Sequence, residues 1–242
     1  MGKPQEWKID LDEYIRQGEP GQAEKSAAWQ TAIGLQDVDG LKTSGYLLET
    51  AKEHIEGSID MNAAKKRIQT YYEERKGRFT DTDEETREAD LVSLHIAELL
   101  GEKTFQFSPA SYINIHKRLF TGVFPHAGQL RSYNITKNEW ILNGETVYYA
   151  SYDAIRDTLD YDFQQEKQFS YEKVSVTEAV KHIADFTSGI WQIHPFCEGN
   201  TRTIVMLMTF FVEHYGYFMD QELMAASAGY VRDAFVMASI GQ

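Results

Sequence analysis

The sequence predicts a mainly α-helical fold with a single β-hairpin, and two observations carry that expectation. Apolar residues recur at three- and four-residue spacing through most of the chain, the period of a helix with one buried face. One segment breaks the pattern: Trp140-Ile-Leu142 and Thr146-Val-Tyr-Tyr149 flank Asn143-Gly144, the dipeptide that supplies two positive-φ residues to a tight turn. At 242 residues the chain is near the upper size of one hydrophobic core, which favours one globular domain with a smaller appended segment.

Residues 1–20 are polar and close on the breaker cluster Gly18-Glu-Pro-Gly21. A helix is expected from about Ala23 to Gln36, stopped by Asp37-Val-Asp-Gly40. A second runs from about Ser44 to Glu56, with Leu47, Leu48, Ala51 and Ile55 on one face, and Gly57 ends it. A third spans about Asp60 to Glu74. The charged stretch Glu73 to Glu88 reads as a boundary, and helices follow at about Thr86–Leu100 and Pro109–Leu119. After the hairpin, helices resume near Tyr152–Gln165. Ser175-Val-Thr-Glu178 is a capping box that opens a core helix with Val176, Ala179, Val180, Ile183, Phe186, Ile190 and Ile193 on its apolar face. Pro195 disfavours helical geometry in the residue before it and ends that helix near His194. A last apolar helix runs from about Asn200 to His214.

Composition excludes several functions. With 24 Lys+Arg against 37 Asp+Glu the net charge is −13, and such a surface repels a polyanion, so no nucleic-acid partner is expected. A nucleotide needs only a local nest of donors. The one cysteine, Cys197, excludes an intrachain disulfide and fits a reducing compartment. The start MGKPQEWKID lacks the apolar core of a secretory signal, and Glu6 breaks the myristoylation pattern. The longest apolar run, Ile204 to Val212, is interrupted by Thr209 and falls far short of the ~20 residues of a membrane span. A cytoplasmic location without a membrane partner is expected.

The chemistry concentrates in His194-Pro-Phe-Cys-Glu-Gly-Asn-Thr-Arg202, between two apolar helices. Pro195 leaves His194 at a helix end, where the imidazole can project beyond it. Phe196 is apolar in a polar loop and reads as an inward anchor. Gly199 permits a positive φ or close backbone approach. Asn200 is a good N-cap, and a helix start behind a glycine is an anion site. Arg202 in that first turn opposes the helix dipole unless an anion lies between it and the amides. Glu198 supplies a hard oxygen ligand for Mg²⁺ beside phosphates. Each residue alone has a plainer role: a helix-end histidine is commonly a surface residue, a loop glutamate is solvated, and an asparagine merely caps. Together, in nine consecutive positions, they point to a site.

This stretch resembles the Fic motif, H-P-F-x-[D/E]-G-N-[G/K]-R-x-x-R, at His194, Pro195, Phe196, Glu198, Gly199, Asn200 and Arg202. Ala127-Gly-Gln-Leu-Arg131, Asn134-Ile135 and Lys137 resemble the family's lead-in to its flap, and the likeness spans roughly residues 85–240. The resemblance implies a Fic-type helical bundle with one β-hairpin flap at 81–242, preceded by an antitoxin-like helical extension at 1–80. It implies a protein nucleotidyltransferase, most commonly an AMPylase. His194 would be the general base on a Ser, Thr or Tyr hydroxyl of a target protein, attacking the α-phosphorus of ATP or another nucleotide. Glu198 would hold Mg²⁺; Gly199, Asn200, Thr201 and Arg202 would line the nucleotide site. The flap residues Trp140 and Ile141 would bind the target by strand addition, although such a hairpin is elsewhere an ordinary exposed ribbon.

Two positions depart from the family. Its second arginine falls at Val205 and its Gly/Lys at Thr201. The antitoxin-like inhibitory motif [S/T]-x-x-x-E-[G/N] has its best counterpart in Thr31-Ala-Ile-Gly-Leu35-Gln36, with Leu35 in place of the glutamate, and Ile55-Glu-Gly57 also resembles that module. Since the family pairs those two missing groups, an apolar contact of Leu35 with Val205 is expected in place of an ion pair. A degenerate Fic protein that binds nucleotide or partner without transfer is the main alternative; a different phosphate-containing donor or a de-AMPylating activity is another. A metal hydrolase lacks an HExxH pair. Cys197 occupies the motif's unrestricted position and reads as an incidental thiol, while Tyr133, Tyr148, Tyr149 and Tyr152 are either self-modification targets or flap packing. A homo-oligomer is compatible with this reading.

Overall fold

Side-chain caps set the helix starts. In the computed structural model, which describes residues 20–77, 80–102 and 105–240, Ser44, Asp60, Thr80, Ser108, Ser175 and Asp220 each accept a backbone N–H from the first turn that follows. These bonds satisfy amides that a helix start leaves unpaired. The helices are α1 (Pro20–Gly34), α2 (Gly45–Ile55), α3 (Met61–Glu73), α4 (Asp81–Leu100), α5 (Pro109–Phe120), α6 (Ile155–Glu166), α7 (Val176–Ile193), α8 (Asn200–His214), α9 (Gln221–Ala226) and α10 (Ala228–Ala238).

The mainly helical expectation holds, with three corrections. Among the described residues there is no strand, so the hairpin is absent. Trp140–Leu142 forms a 3₁₀ turn instead, and Asn143 and Gly144 do take positive φ (57° and 91°). Glu139 N–H donates to Glu145 O and Gly144 N–H to Glu139 O. The Asn-Gly pair therefore closes a compact loop that absorbs the residues expected to form the first strand. α4 begins at Asp81 rather than near Thr86, because Thr80 and Asp83 form a reciprocal capping box inside the charged run. On α7, Val176 and Val180 are exposed, while Ala179, Ile183, Ile190 and Ile193 are buried. At about 100° per residue the two valines fall on the edge of the apolar arc, in the helix's first turns.

Contacts divide the chain into two compact units, one within Met1–Lys103 with Asp220–Gly229, the other within Thr104–Met219 with Tyr230–Gln242. α4 packs with α1, α3 and the 3₁₀ turn Leu35–Asp39, and so belongs to the first unit. There, α1 packs on α4 and α9; Gly34 lets it approach closely, since a Cβ at Gly34 would lie 2.5 Å from Ala225 Cβ. Trp29 is fully buried and its indole N–H donates to His54 Nδ1 (3.0 Å). Thr31 on α1 and Leu35 in the 3₁₀ turn are both buried.

The polar anchor of this unit is Asp90, wholly buried on α4. Its carboxylate accepts the Ser44 N–H (2.8 Å), the Ser44 hydroxyl and the Tyr72 hydroxyl (2.6 Å). It thereby ties the start of α2 and the end of α3 to α4. Burial raises its pKa, opposed by the bonds from Ser44 and Tyr72. Asp90→Ala strands those donors and is expected to cost on the order of 3 kcal/mol. Tyr72→Phe, which removes one of the bonds, costs about 1 kcal/mol. Urea denaturation reads both; equal losses in the two variants would rule out Asp90 as the anchor.

In the second unit, Phe107, Phe163, Phe186 and Phe211 pack as one aromatic cluster with centroids 4.6–5.7 Å apart. Around it stand α5, α6, α7 and α8. Tyr112 joins the cluster to Phe196, in the loop between α7 and α8.

Candidate active site

The loop between α7 and α8 is built on an apolar anchor. Phe196 is fully buried, as its sequence context predicts, and its ring stacks on His116 of α5 with centroids 3.8 Å apart. Asn200 closes the loop on itself: its carbonyl oxygen accepts the Phe196 N–H (3.0 Å) and its amide donates to Phe196 O (2.8 Å). The N-cap is Gly199, not Asn200, and it makes no side-chain cap. Asn200 has turned its side chain back to the loop and does not cap α8. Gly199 sits at φ 75°, and a Cβ there would lie 2.3 Å from Phe120 Cζ. Both the conformation and the space demand glycine.

His194 is the C-cap of α7, in the left-handed region (φ 50°, ψ 59°) that residues other than glycine seldom occupy. Arg131 holds it there. The buried guanidinium donates from Nε to His194 O (2.8 Å) and from Nη2 to Ile193 O (3.2 Å), and the Arg131 N–H donates to Pro195 O (2.9 Å). The remaining donors reach Tyr133 O (2.8 Å) and Ala150 O.

The His194 imidazole packs against Tyr149 (centroids 4.4 Å) and Trp191 (5.2 Å, perpendicular), and those two rings also touch each other (6.2 Å). Both ring nitrogens are buried and have no hydrogen-bond partner among the described residues. Burial, first, and the positive charges of Lys137 and Arg131 hold its pKa well below the ordinary imidazole value. The ring is therefore neutral near pH 7.

Glu198, by contrast, is exposed, and its carboxylate makes a loose ion pair with Lys137 (3.7 Å). The Thr201 hydroxyl accepts the Trp191 indole N–H (3.0 Å). Arg202 is buried with its guanidinium 4.9 Å over the Phe120 ring. Val205, at the position of the Fic motif's second arginine, is fully buried. The Tyr133 hydroxyl reaches Cys197 Sγ (3.5 Å). Trp140 is 68% exposed and Ile141 half-buried. The structure thus brings His194, Gly199, Asn200, Thr201 and Arg202 together around one loop, with Glu198 facing solvent.

Residues 106–212 match the Fic/DOC family. The chain carries a Fic/DOC domain. No curated protein matches the chain. The matched segment of the Fic/DOC domain contains α5 to α7 and all but the end of α8, with the loop just described. No described helix is long and apolar enough to cross a membrane.

Sequence reasoning missed His116 and gave Arg131 no task. His116 Nδ1 accepts the Gly128 N–H (2.8 Å), which fixes the proton on Nε2, and Nε2 donates to Glu198 O (3.0 Å). The signal was present: His116 interrupts the apolar stripe Tyr112, Ile115, Leu119 of α5, and a polar group on a buried stripe must have partners.

Burial lowers the His116 pKa to about 4. The unfolded chain therefore binds this proton first on acidification. The stability it contributes is complete above pH 6.5 and is lost as pH falls from about 6.5 toward 4, by about 3 kcal/mol in all. Denaturant midpoints across that window should show the loss, and in His116→Phe the slope should be shallower although the starting stability is lower. An unchanged slope in the variant would assign the acid sensitivity elsewhere.

Proposed function

We propose that this Fic/DOC protein transfers a nucleoside monophosphate, most commonly AMP from ATP, to a Ser, Thr or Tyr hydroxyl of a target protein. The observation that carries the reading is His194. It is a neutral imidazole whose two nitrogens have no partner among the described residues, and it stands beside a helix start with no side-chain cap. A base that must accept a proton has to be neutral and unengaged.

The residues present fit a nucleotide with a divalent cation. The first amides of α8 lie at a helix N-terminus, and the positive φ of Gly199 turns the chain into it. The Thr201 hydroxyl accepts from Trp191 and keeps its own O–H, so Gly199, Asn200, Thr201 and Arg202 would together line the phosphates at the start of α8. Among the described residues no three His, Cys, Asp or Glu side chains cluster as a metal site. Glu198, exposed beside the start of α8, would hold Mg²⁺ together with phosphate oxygens, since Mg²⁺ commonly takes one or two carboxylates beside phosphates. When bound, the cation neutralises charge on the phosphates. The target hydroxyl oxygen forms a bond to the α-phosphorus, its proton passes to an imidazole nitrogen of His194, and the bond to the β-phosphate oxygen breaks, releasing pyrophosphate. Lys137, paired with Glu198, offers a further positive charge beside the phosphates. The exposed Trp140 and half-buried Ile141 would meet the target, by a loop face rather than by strand addition.

A second reading, nucleotide binding without transfer, is favoured by one observation: Val205 is apolar and buried where the Fic motif carries its second arginine.

Incubation with α-labelled ATP, GTP, CTP or UTP, Mg²⁺ and a cell lysate separates the two. Label should appear on protein, depend on Mg²⁺ and vanish in His194→Ala, a loss of at least about 100-fold. Because His194 titrates well below the ordinary value in the free protein, kcat/KM for the nucleotide should persist as pH falls through 6.5, and its acid limb should lie lower. Nucleotide binding with no label on any protein would instead establish the second reading, and an acid limb at or above pH 6.5 would sink His194 as a base kept neutral by burial.

A further inference from the structure

The two walls around His194 differ in kind. Trp191 is fixed: it is wholly buried on α7, its indole N–H is bonded to Thr201, and its ring stacks on Phe235 of α10 at 5.7 Å. Tyr149 stands in irregular chain between the 3₁₀ turn and α6, and is only half-buried. Both rings cover His194 and touch each other, and of the two only Tyr149 is free of a helix, so it is the one that can move off the imidazole without disturbing α7.

Tyr149 is held by a chain of bonds. Its hydroxyl donates to Glu139 Oε1 (3.1 Å). Glu139 is 1% exposed, and a carboxylate so buried requires a cation; Arg232 of α10 donates to Glu139 Oε2 at 2.7 Å. The next loop residue repeats the attachment, since the Trp140 indole N–H donates to Asp233 Oδ1 (3.1 Å). Two consecutive residues of the loop are thus tied to two consecutive residues of α10, and the loop's far end carries the ring that covers His194.

We infer that Tyr149 is a gate over the His194 imidazole and that the Glu139–Arg232 pair is the latch that sets its position. Glu139 and Arg232 are positioning residues that act on His194 through Tyr149. The loop that carries the exposed Trp140 is the loop that closes the gate, so a partner seated on Trp140 would pull on the latch directly. The catalytic meaning of the gate rests on His194 being the base, as proposed above, but the gate itself is read without turnover.

The test is the ring NMR titration of His194 in the full chain, its resonance assigned by loss in His194→Gln. Lys137, Arg131 and Arg232 are the charged groups that bear on this ring. In the wild type no titration of His194 is expected near pH 6.5. In Tyr149→Ala the ring opens to water, and in Arg232→Met the unpaired Glu139 leaves its site and takes Tyr149 with it. Both variants should bring the His194 midpoint to within about one pH unit of 6.5, the ordinary imidazole value. Arg232→Lys should restore most of the wild-type behaviour. Tyr149→Phe, which keeps the ring and loses the hydroxyl bond, should fall between. The His182 chemical shift at one fixed pH, elsewhere on α7, should match the wild type in each variant and reports that the fold is intact. An unmoved His194 midpoint in Tyr149→Ala, with His182 unchanged, overturns the gate. A shift in Tyr149→Ala without one in Arg232→Met overturns the latch. A normal gate in a protein that transfers no nucleotide would leave this inference standing and remove the proposed function instead.

Discussion

Arg131 is the residue on which the site depends, because it resolves two local problems with one buried guanidinium. The last carbonyls of α7 have no intrahelical donors, and His194 must hold a left-handed conformation that costs on the order of 1–3 kcal/mol. Arg131 donates to Ile193 O and His194 O, while its own N–H takes Pro195 O, so the chain is held on both sides of the strained residue. The bonds to Tyr133 O and Ala150 O extend the same clamp across the segment that carries the 3₁₀ turn. Burial lowers the pKa of Arg131, but from so high a value that the group stays charged at neutral pH. That charge bears on the imidazole whose backbone it holds. Arg131 thus shapes the backbone at His194 and, after burial and Lys137, adds to holding its imidazole neutral.

The rest of the loop follows a division between what faces in and what faces out. Phe196, His116, Asn200 and Thr201 spend their side chains on the protein's own backbone and rings. Glu198 alone keeps its carboxylate in solvent, yet its carbonyl is fixed by His116. The arrangement makes a closed frame of side chains that serve the fold, and leaves Glu198 as the exposed acid of the loop. Gly199 completes the frame, since Phe120 occupies the space any side chain there would need.

Much of this was legible in the sequence. The helical periods, the Ser175–Glu178 capping box, the stop at Pro195 and the inward turn of Phe196 all follow from local rules that the structure obeys. The errors have local causes. Asn143-Gly144 does adopt positive φ, but the sequence does not reveal that Trp140–Leu142 would enter the turn with it, because a 3₁₀ turn and a short strand share the same apolar run. The start of α4 was hidden because acidic residues read as a solvated boundary, when in a first turn they favour a helix. What could not be read at all were the long-range bonds: Arg232 and Asp233 meet Glu139 and Trp140 across more than ninety residues, and no spacing rule connects them. α10 had drawn no assignment, so its part in the site was unreachable from sequence.

A neutral imidazole kept neutral by burial and by nearby cations is, for the same reasons, a weak base. On the proposed reading this conflict has a natural resolution. The charges that depress His194 belong to Lys137 and Arg131, and Lys137 already faces the acid that would hold the cation. A polyanionic nucleotide on the α8 amides would oppose those positive charges and raise the basicity of the ring. Proton acceptance would then be weakest before the nucleotide arrives and strongest when the α-phosphorus is in place. The cations that keep the base idle would be the ones that gather the substrate that activates it.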